Sequence, residues 1–331
     1  MTKKFQVVGI GNAMVDILSH VDESFLAENG VEKGIMQLID MGRAVELYGH
    51  MGPAQEVSGG SAANTIAGIA ALGGRTAYVG KVKDDQLGMI FGHDLRAQGA
   101  GYETPLADKS HDHETGRCMV LVTPDGERSL NTYLGVSEFL GPDDIDETMM
   151  ASADWLYLEG YRFDGPDSKA AFAKAIDACR AAGGRVSLTL SDPFCVERHR
   201  DDFREMIKNH IDLLFCNEHE MAAMYPGETL DQSMRDAAQE IDIVVCTASD
   251  KGAYVLKDGV MEHAHAIPTR IVDATGAGDL FAAGFLYGLV HEYDMLTCAR
   301  MGNVAAAEVI SHIGARPEAD LLEQFRDHGL V

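Results

Sequence analysis

The second half of the chain alternates two kinds of segment. Stretches with helical spacing (PDDIDETMMAS, then SKAAFAKAIDACRAAG) are separated by short apolar runs (DWLYLEGY, RVSLTL, DLLF, EIDIVVCT). That order is the sign of a parallel sheet with helices on both faces. Phe5 to Ile10 (FQVVGI) reads as a buried first strand, and RTAYVGKV as another. Ligands of such sheets collect beyond the carboxyl ends of the strands. Several of those ends carry polar or glycine-rich groups: Glu159-Gly160, Ser191-Asp192, Cys216-Asn217 and Thr247.

The most informative chemistry lies in Asp273-Ala274-Thr275-Gly276-Ala277-Gly278-Asp279, followed at once by LFAAGFLYGLV. The small and apolar residues after Asp279 suit a tightly packed helix. Gly276 and Gly278 let backbone approach a ligand, and the first helical N–H groups are unpaired. Such a terminus holds anions. Asp279 places an acid beside that anion site, which is useful when it takes a proton from a nucleophile while the amides stabilise charge. The combination reads as phosphoryl transfer to a hydroxyl. A plain helix cap is the alternative for an isolated Gly-x-Gly-Asp.

Other segments supply candidate ligands. GIGNAM is not a dinucleotide fingerprint, because Met14 holds the third glycine position and VDILSHV continues as strand. Asn12 and Asp16 then leave a strand end as sugar-hydroxyl ligands or as turn formers. Ser58-Gly59-Gly60-Ser61-Ala62-Ala63-Asn64 opens a small-residue helix, either capped or with room for a ligand. Gly74 to Val82 misses a Walker motif in spacing and in its final residue, so a P-loop is not expected. Asn217 and Glu220 fit a capping box and equally a magnesium site acting through water. TGRCMVLVTPDGERSLNTYL reads as a hairpin turning at Pro124-Asp125-Gly126-Glu127, with Arg128 as a surface charge on its own evidence.

At 331 residues with 52 acids against 27 basic residues, the formal charge is -25. That argues against nucleic acid or an anionic membrane as partner. The six cysteines form no C-x-x-C pair, so neither zinc nor a disulfide framework is expected. No apolar run approaches a membrane span of roughly 18 residues, and no signal peptide is read; a cytoplasmic location is the expectation.

The Asp273–Asp279 stretch resembles the DTTGAGD signature of the PfkB (ribokinase-like) carbohydrate and nucleoside kinases, departing only at Ala274. GNAMVDI, GGSAAN, the hairpin, NEHE and LSDPF extend the resemblance across the chain, with adenosine kinases as the branch most similar. The resemblance implies a three-layer α/β sandwich with a mostly parallel central sheet and a small β-sheet lid. The large unit would take residues 1–12, 41–100 and 134–331, and the lid 13–40 and 101–133. It implies Asp279 as catalytic base, with Gly276, Ala277 and Gly278 in the anion hole. Asn12, Asp16, Gly59, Gly60 and Asn64 would bind the acceptor, Arg128 would reach the phosphates, and Phe194 would stack on a purine, with Tyr161 second. Asn217, Thr247, Ser249, Gly252 and Asn303 would bind ATP, although Ser249 replaces the family's glycine. Glu220 and Asn217 would organise magnesium. Asp273, with carbonyls from Ile313-Gly314-Ala315, would bind a monovalent cation such as potassium.

The expected activity is ATP-dependent phosphorylation of the adenosine 5′-hydroxyl. The alternatives are a kinase for ribose, fructose or a related sugar, a kinase for inosine or guanosine, or a non-catalytic nucleoside-binding protein. A homodimer is left open.

Overall fold

A computed structural model describes residues 3–227 and 229–331. Its first strands are β1 (Phe5–Ile10), β2 (Met14–His20), β3 (Met36–Leu38), β4 (Gln55–Gly59), β5 (Thr76–Val79), β6 (Gly101–Tyr102), β7 (Gly116–Val122) and β8 (Arg128–Tyr133). The rest are β9 (Ala153–Glu159), β10 (Arg185–Thr189), β11 (Leu213–Asn217), β12 (Ile243–Thr247), β13 (Ala253–Lys257) and β14 (Val260–Ala264).

Nine strands form one sheet in the order β14-β13-β12-β11-β10-β9-β1-β5-β6. From β12 to β6 all neighbours are parallel. Alternate residues of each strand serve opposite faces. Val7, Trp155, Tyr157, Phe215 and Val245 pack with the helices Ser61–Ala71, Ala277–Val290 and Met295–Val309. Val8, Leu156, Leu158, Val186, Leu214 and Val244 pack with Ser168–Ala181, Pro193–His210 and Leu230–Ala237. This is the expected three-layer sandwich.

The second sheet has the order β3-β8-β7-β2-β4. The hairpin β7–β8 turns where expected, with the Gly126 amide donating to the Thr123 carbonyl at 2.8 Å. One face of this sheet (Ile17, Met119, Leu121) packs on the helices Glu23–Glu28 and Met41–His50. The other face carries Met14, Leu18, Cys118 and Val120.

The boundaries of the small sheet differ from 13–40 and 101–133 in two places. Gln55–Gly59 belongs to it, paired antiparallel with β2, and the helix Met41–His50 buries Ala44 and Leu47 against it. Gly101–Tyr102 belongs instead to the large sheet beside β5. Burial decides that second case: the Tyr102 ring packs edge-on to Phe91, and its hydroxyl donates to the Gly80 carbonyl at 2.9 Å. The antiparallel pair β13–β14 was not expected either. Its turn uses Asp258 and Gly259, at φ of 51° and 76°, and an Asp-Gly pair is a recognised hairpin signal. All six cysteines are buried and free. Among the described residues no helix is long and apolar enough to cross a membrane.

Candidate active site

The loop before helix Ala277–Val290 is built around Asp273, which is fully buried. Its Oδ1 accepts from the Thr275 amide at 2.9 Å, and its Oδ2 accepts from the Gly314 amide at 2.9 Å. Gly276 then caps the helix at φ 77°, where a Cβ would lie 2.7 Å from the Ala315 methyl. Only glycine takes that position without strain. A Cβ on Gly278, by contrast, would meet nothing within 4 Å. Among the described residues the amides of Gly278 and Asp279 have no hydrogen-bond partner. The result is an open anion cradle at a helix N-terminus. Arg128 crosses to it from β8, with Nη1 donating to Thr275 Oγ1 at 3.0 Å and Nε 3.5 Å from Asp273 Oδ1.

Asp279 is held from the neighbouring helix. Ser61 Oγ donates to its Oδ1 at 2.6 Å and Asn64 Nδ2 to its Oδ2 at 2.9 Å, while Thr65 Oγ1 donates to its carbonyl at 3.0 Å. Burial pushes the Asp279 carboxyl up, and the bonds from Ser61 and Asn64 pull it back, followed by the charges of Arg316 and Arg128. The two donors set the orientation of this carboxylate. Asn64 therefore positions the Asp279 carboxylate, with its own Oδ1 buried and unpartnered. In the sequence Ser61 reads only as part of a helix N-terminus with room for a ligand, and nothing local announces its bond to Asp279.

Glu159 was noted only as a polar strand end, and it proves central. Its side chain is buried at the end of β9, with Oε1 accepting from the Asn12 amide at 3.1 Å and Oε2 from the Ala62 amide at 2.8 Å. It thus clamps the end of β1 to the helix that holds Asp279. Burial pushes its pKa up to about 7. Asn12 Oδ1 accepts from Ser137 Oγ at 2.9 Å and from buried Arg162 at 3.0 Å, which fixes the orientation of its amide.

Gly59 and Gly60 also have a steric task. A Cβ on Gly59 would overlap the Asp16 carboxylate, and one on Gly60 (φ 96°) would overlap the Asn12 carbonyl. They make room for Asn12 and Asp16, which line the cavity together with Gly60. Burial pushes Asp16 up to about 7.

These groups surround a cavity of about 340 Å³. Asn12, Asp16, Asn64, Glu159 and Asp279 supply its polar wall, and Met36, Leu38, Leu130 and Leu134 from the small sheet and its exit supply an apolar one. Tyr161 also lines it. A smaller cavity shares Ser61, Ser191, Asn217, Glu220, Gly278 and Asp279 with the first and extends to Thr247.

Asn217 and Glu220 do form the reciprocal capping box. Asn217 Oδ1 accepts from the amides of His219 and Glu220, both at 2.9 Å, and Glu220 Oε2 accepts from the Asn217 amide at 3.0 Å. Burial pushes Glu220 up to about 7. Both residues nevertheless line the cavities.

Several expected ligands line neither of these two cavities. Phe194 is 54% exposed and lines neither cavity. Asp192 caps the following helix, with Oδ1 accepting from the Phe194 amide, and Pro193 is its first residue. That leaves Phe194 on the helix's outer side, away from both cavities. Gly252, at φ 99°, closes the turn into β13, where a Cβ would overlap the Ala264 carbonyl. Ser249 holds φ 49°, a conformation glycine takes more readily, and is exposed. Asn303 donates to the carbonyls of Ala264 and His265 at 3.0 and 2.9 Å, so its amide nitrogen braces the end of β14. The Asp273 oxygens are already bonded to Thr275 and Gly314, and no cluster of three or more metal-binding side chains occurs among the described residues.

An open amide cradle, a held carboxylate and a cavity on the acceptor side define a phosphotransferase acting on a hydroxyl group. The chain belongs to the pfkB family of carbohydrate kinases, whose profile it matches over residues 35–321. It is similar to the crystal structure of adenosine kinase from Sinorhizobium meliloti, at 45% identity and TM-score 0.93, over 98% of this chain and 99% of that one. It is also similar to that of a probable sugar kinase from Rhizobium etli CFN 42, at 43% identity and TM-score 0.95, over 99% of this chain and 100% of that one. Among curated proteins, an ATP-dependent ribose-1-phosphate kinase from Halopiger xanaduensis is 31% identical over 279 residues, 82% of this chain and 87% of that protein. The fold is ribokinase-like.

Proposed function

We propose that this protein is an ATP-dependent adenosine kinase that transfers a phosphoryl group to the nucleoside 5′-hydroxyl. The observation that carries the reading is the two-sided cavity. Its polar wall (Asn12, Asp16, Asp279) suits a ribose, and its apolar wall (Met36, Leu38, Leu130, Leu134) suits a base. A free sugar leaves that apolar wall without a partner. The likeness over almost the whole length to an adenosine kinase supports the same choice.

Asp279 takes the hydroxyl proton, while the amides of Gly278 and Asp279 receive charge on the transferred group. Arg128 is placed to reach the phosphates. Asn217 and Glu220 line the smaller cavity with their oxygens already engaged in the capping box, so they would touch a magnesium ion only through its waters, and that ion would supply charge neutralisation. A monovalent cation at Asp273 is left out of the proposal, because that carboxylate is committed to protein donors.

Sugar phosphorylation is the second reading, favoured by the ribose-1-phosphate kinase relative. ADP release measured with adenosine, inosine, guanosine, ribose, fructose and ribose 1-phosphate separates the two. Adenosine is expected to give the highest kcat/KM. A sugar or sugar phosphate that outcompetes it removes the proposal.

A further inference from the structure

Ser61 is the first residue of the helix Ser61–Ala71, and its hydroxyl donates to Asp279 Oδ1 at 2.6 Å. Both residues line the acceptor cavity and also the smaller cavity that runs to Asn217, Glu220 and Thr247. Ser61 therefore stands where the acceptor side and the nucleotide side meet. It is a primary alcohol already bonded to the base, which is the arrangement an acceptor hydroxyl must reach before transfer. Ser191 also lines both cavities, but its hydroxyl donates to the Thr189 carbonyl at 3.5 Å instead.

We propose that Ser61 is itself a phosphoryl acceptor when the acceptor cavity is empty. Its Oγ attacks the γ-phosphorus of ATP, and the bond from that phosphorus to the β,γ-bridging oxygen breaks. The hydroxyl proton passes to Asp279, and the products are phosphoserine and ADP. The proposal rests on the reading of the site as an ATP-dependent kinase. A phosphate on the first turn of a helix is favoured by the helix N-terminus. The nearby carboxylates of Asp16, Glu159, Glu220 and Asp279 oppose it, so the modification is slow beside acceptor turnover. It is also self-limiting, because a phosphorylated Ser61 occupies the base and fills the space the acceptor needs.

The test incubates the full chain with ATP and magnesium, without acceptor, and follows intact mass and then peptide mass. The expected result is a gain of one phosphoryl group, mapped to Ser61, on a growing fraction of molecules. The gain is absent in Ser61→Ala and in Asp279→Asn, each checked by a thermal melt, and saturating acceptor suppresses it. Acceptor turnover falls in step with the modified fraction. A chain that phosphorylates an acceptor yet stays unmodified, or gains phosphate at another residue, overturns the proposal. A chain that neither turns over any acceptor nor gains mass overturns the kinase reading, and the proposal falls with it.

Discussion

Asp279 is the proposed general base, and its substitution gives the most direct check. Asp279→Asn keeps the size of the side chain and removes its basicity. Turnover is expected to fall about 100- to 10,000-fold, the usual contribution of general-base help, with nucleoside and ATP binding retained in calorimetry. Near-normal turnover removes Asp279 from that role. The two glycines beside it separate folding from function. Gly276→Ala meets both a left-handed φ and the Ala315 methyl, and should cost about 1–3 kcal/mol in stability. Gly278→Ala points its methyl into open space, so it should melt like the parent while losing turnover. Equal melting losses in both variants would contradict that division.

At the scale of elements, Arg128 ties the small sheet to the anion cradle. Arg128→Met should leave melting within a few degrees. It should reduce kcat/KM for ATP tenfold or more, since a hydrogen bond to a charged group contributes about 1.5–3 kcal/mol. Unchanged kinetics would make Arg128 a strut only. The cradle was legible in the sequence because its demands are local: a left-handed cap and an open approach both ask for glycine, and Gly276 and Gly278 answer. The turn at Asp258-Gly259 was equally local and readable by the same logic, though it was not read. Glu159 was not legible in its role. Its partners are amides at Asn12 and Ala62, and nothing in the residues around Glu159 announces which distant backbone it will meet. Phe194 shows the converse: the cap at Asp192 and Pro193 sets its direction and leaves it outside both cavities, where its motif similarity gave no sign of that.

Across the whole molecule, the acids collected at the strand ends make stability depend on pH. Burial pushes Asp16, Glu159 and Glu220 up to about 7, above their ordinary unfolded values near 4. Between those values the native state binds more protons than the unfolded chain, so the unfolding free energy falls as pH rises through that window and levels off above it. Melting temperatures of the ligand-free protein should therefore decline from pH 5 to pH 8, and Glu159→Gln should flatten the decline. A melting temperature that rises over the same range contradicts the assignment. The small sheet also bears on how the molecule can be altered. It is woven from residues 14–59 and 116–133, and the chain leaves it at Gly59-Gly60 straight into the helix that holds the base. It enters at Asn12 and Ala13, directly after β1. The cover is thus no detachable cassette. Exchanging it with that of a relative would cut through Asn12 and the entry to the helix that holds Asp279, so under the proposed reading a new acceptor preference is better sought by side-chain changes at Met36, Leu38, Leu130 and Leu134 than by transplanting the sheet.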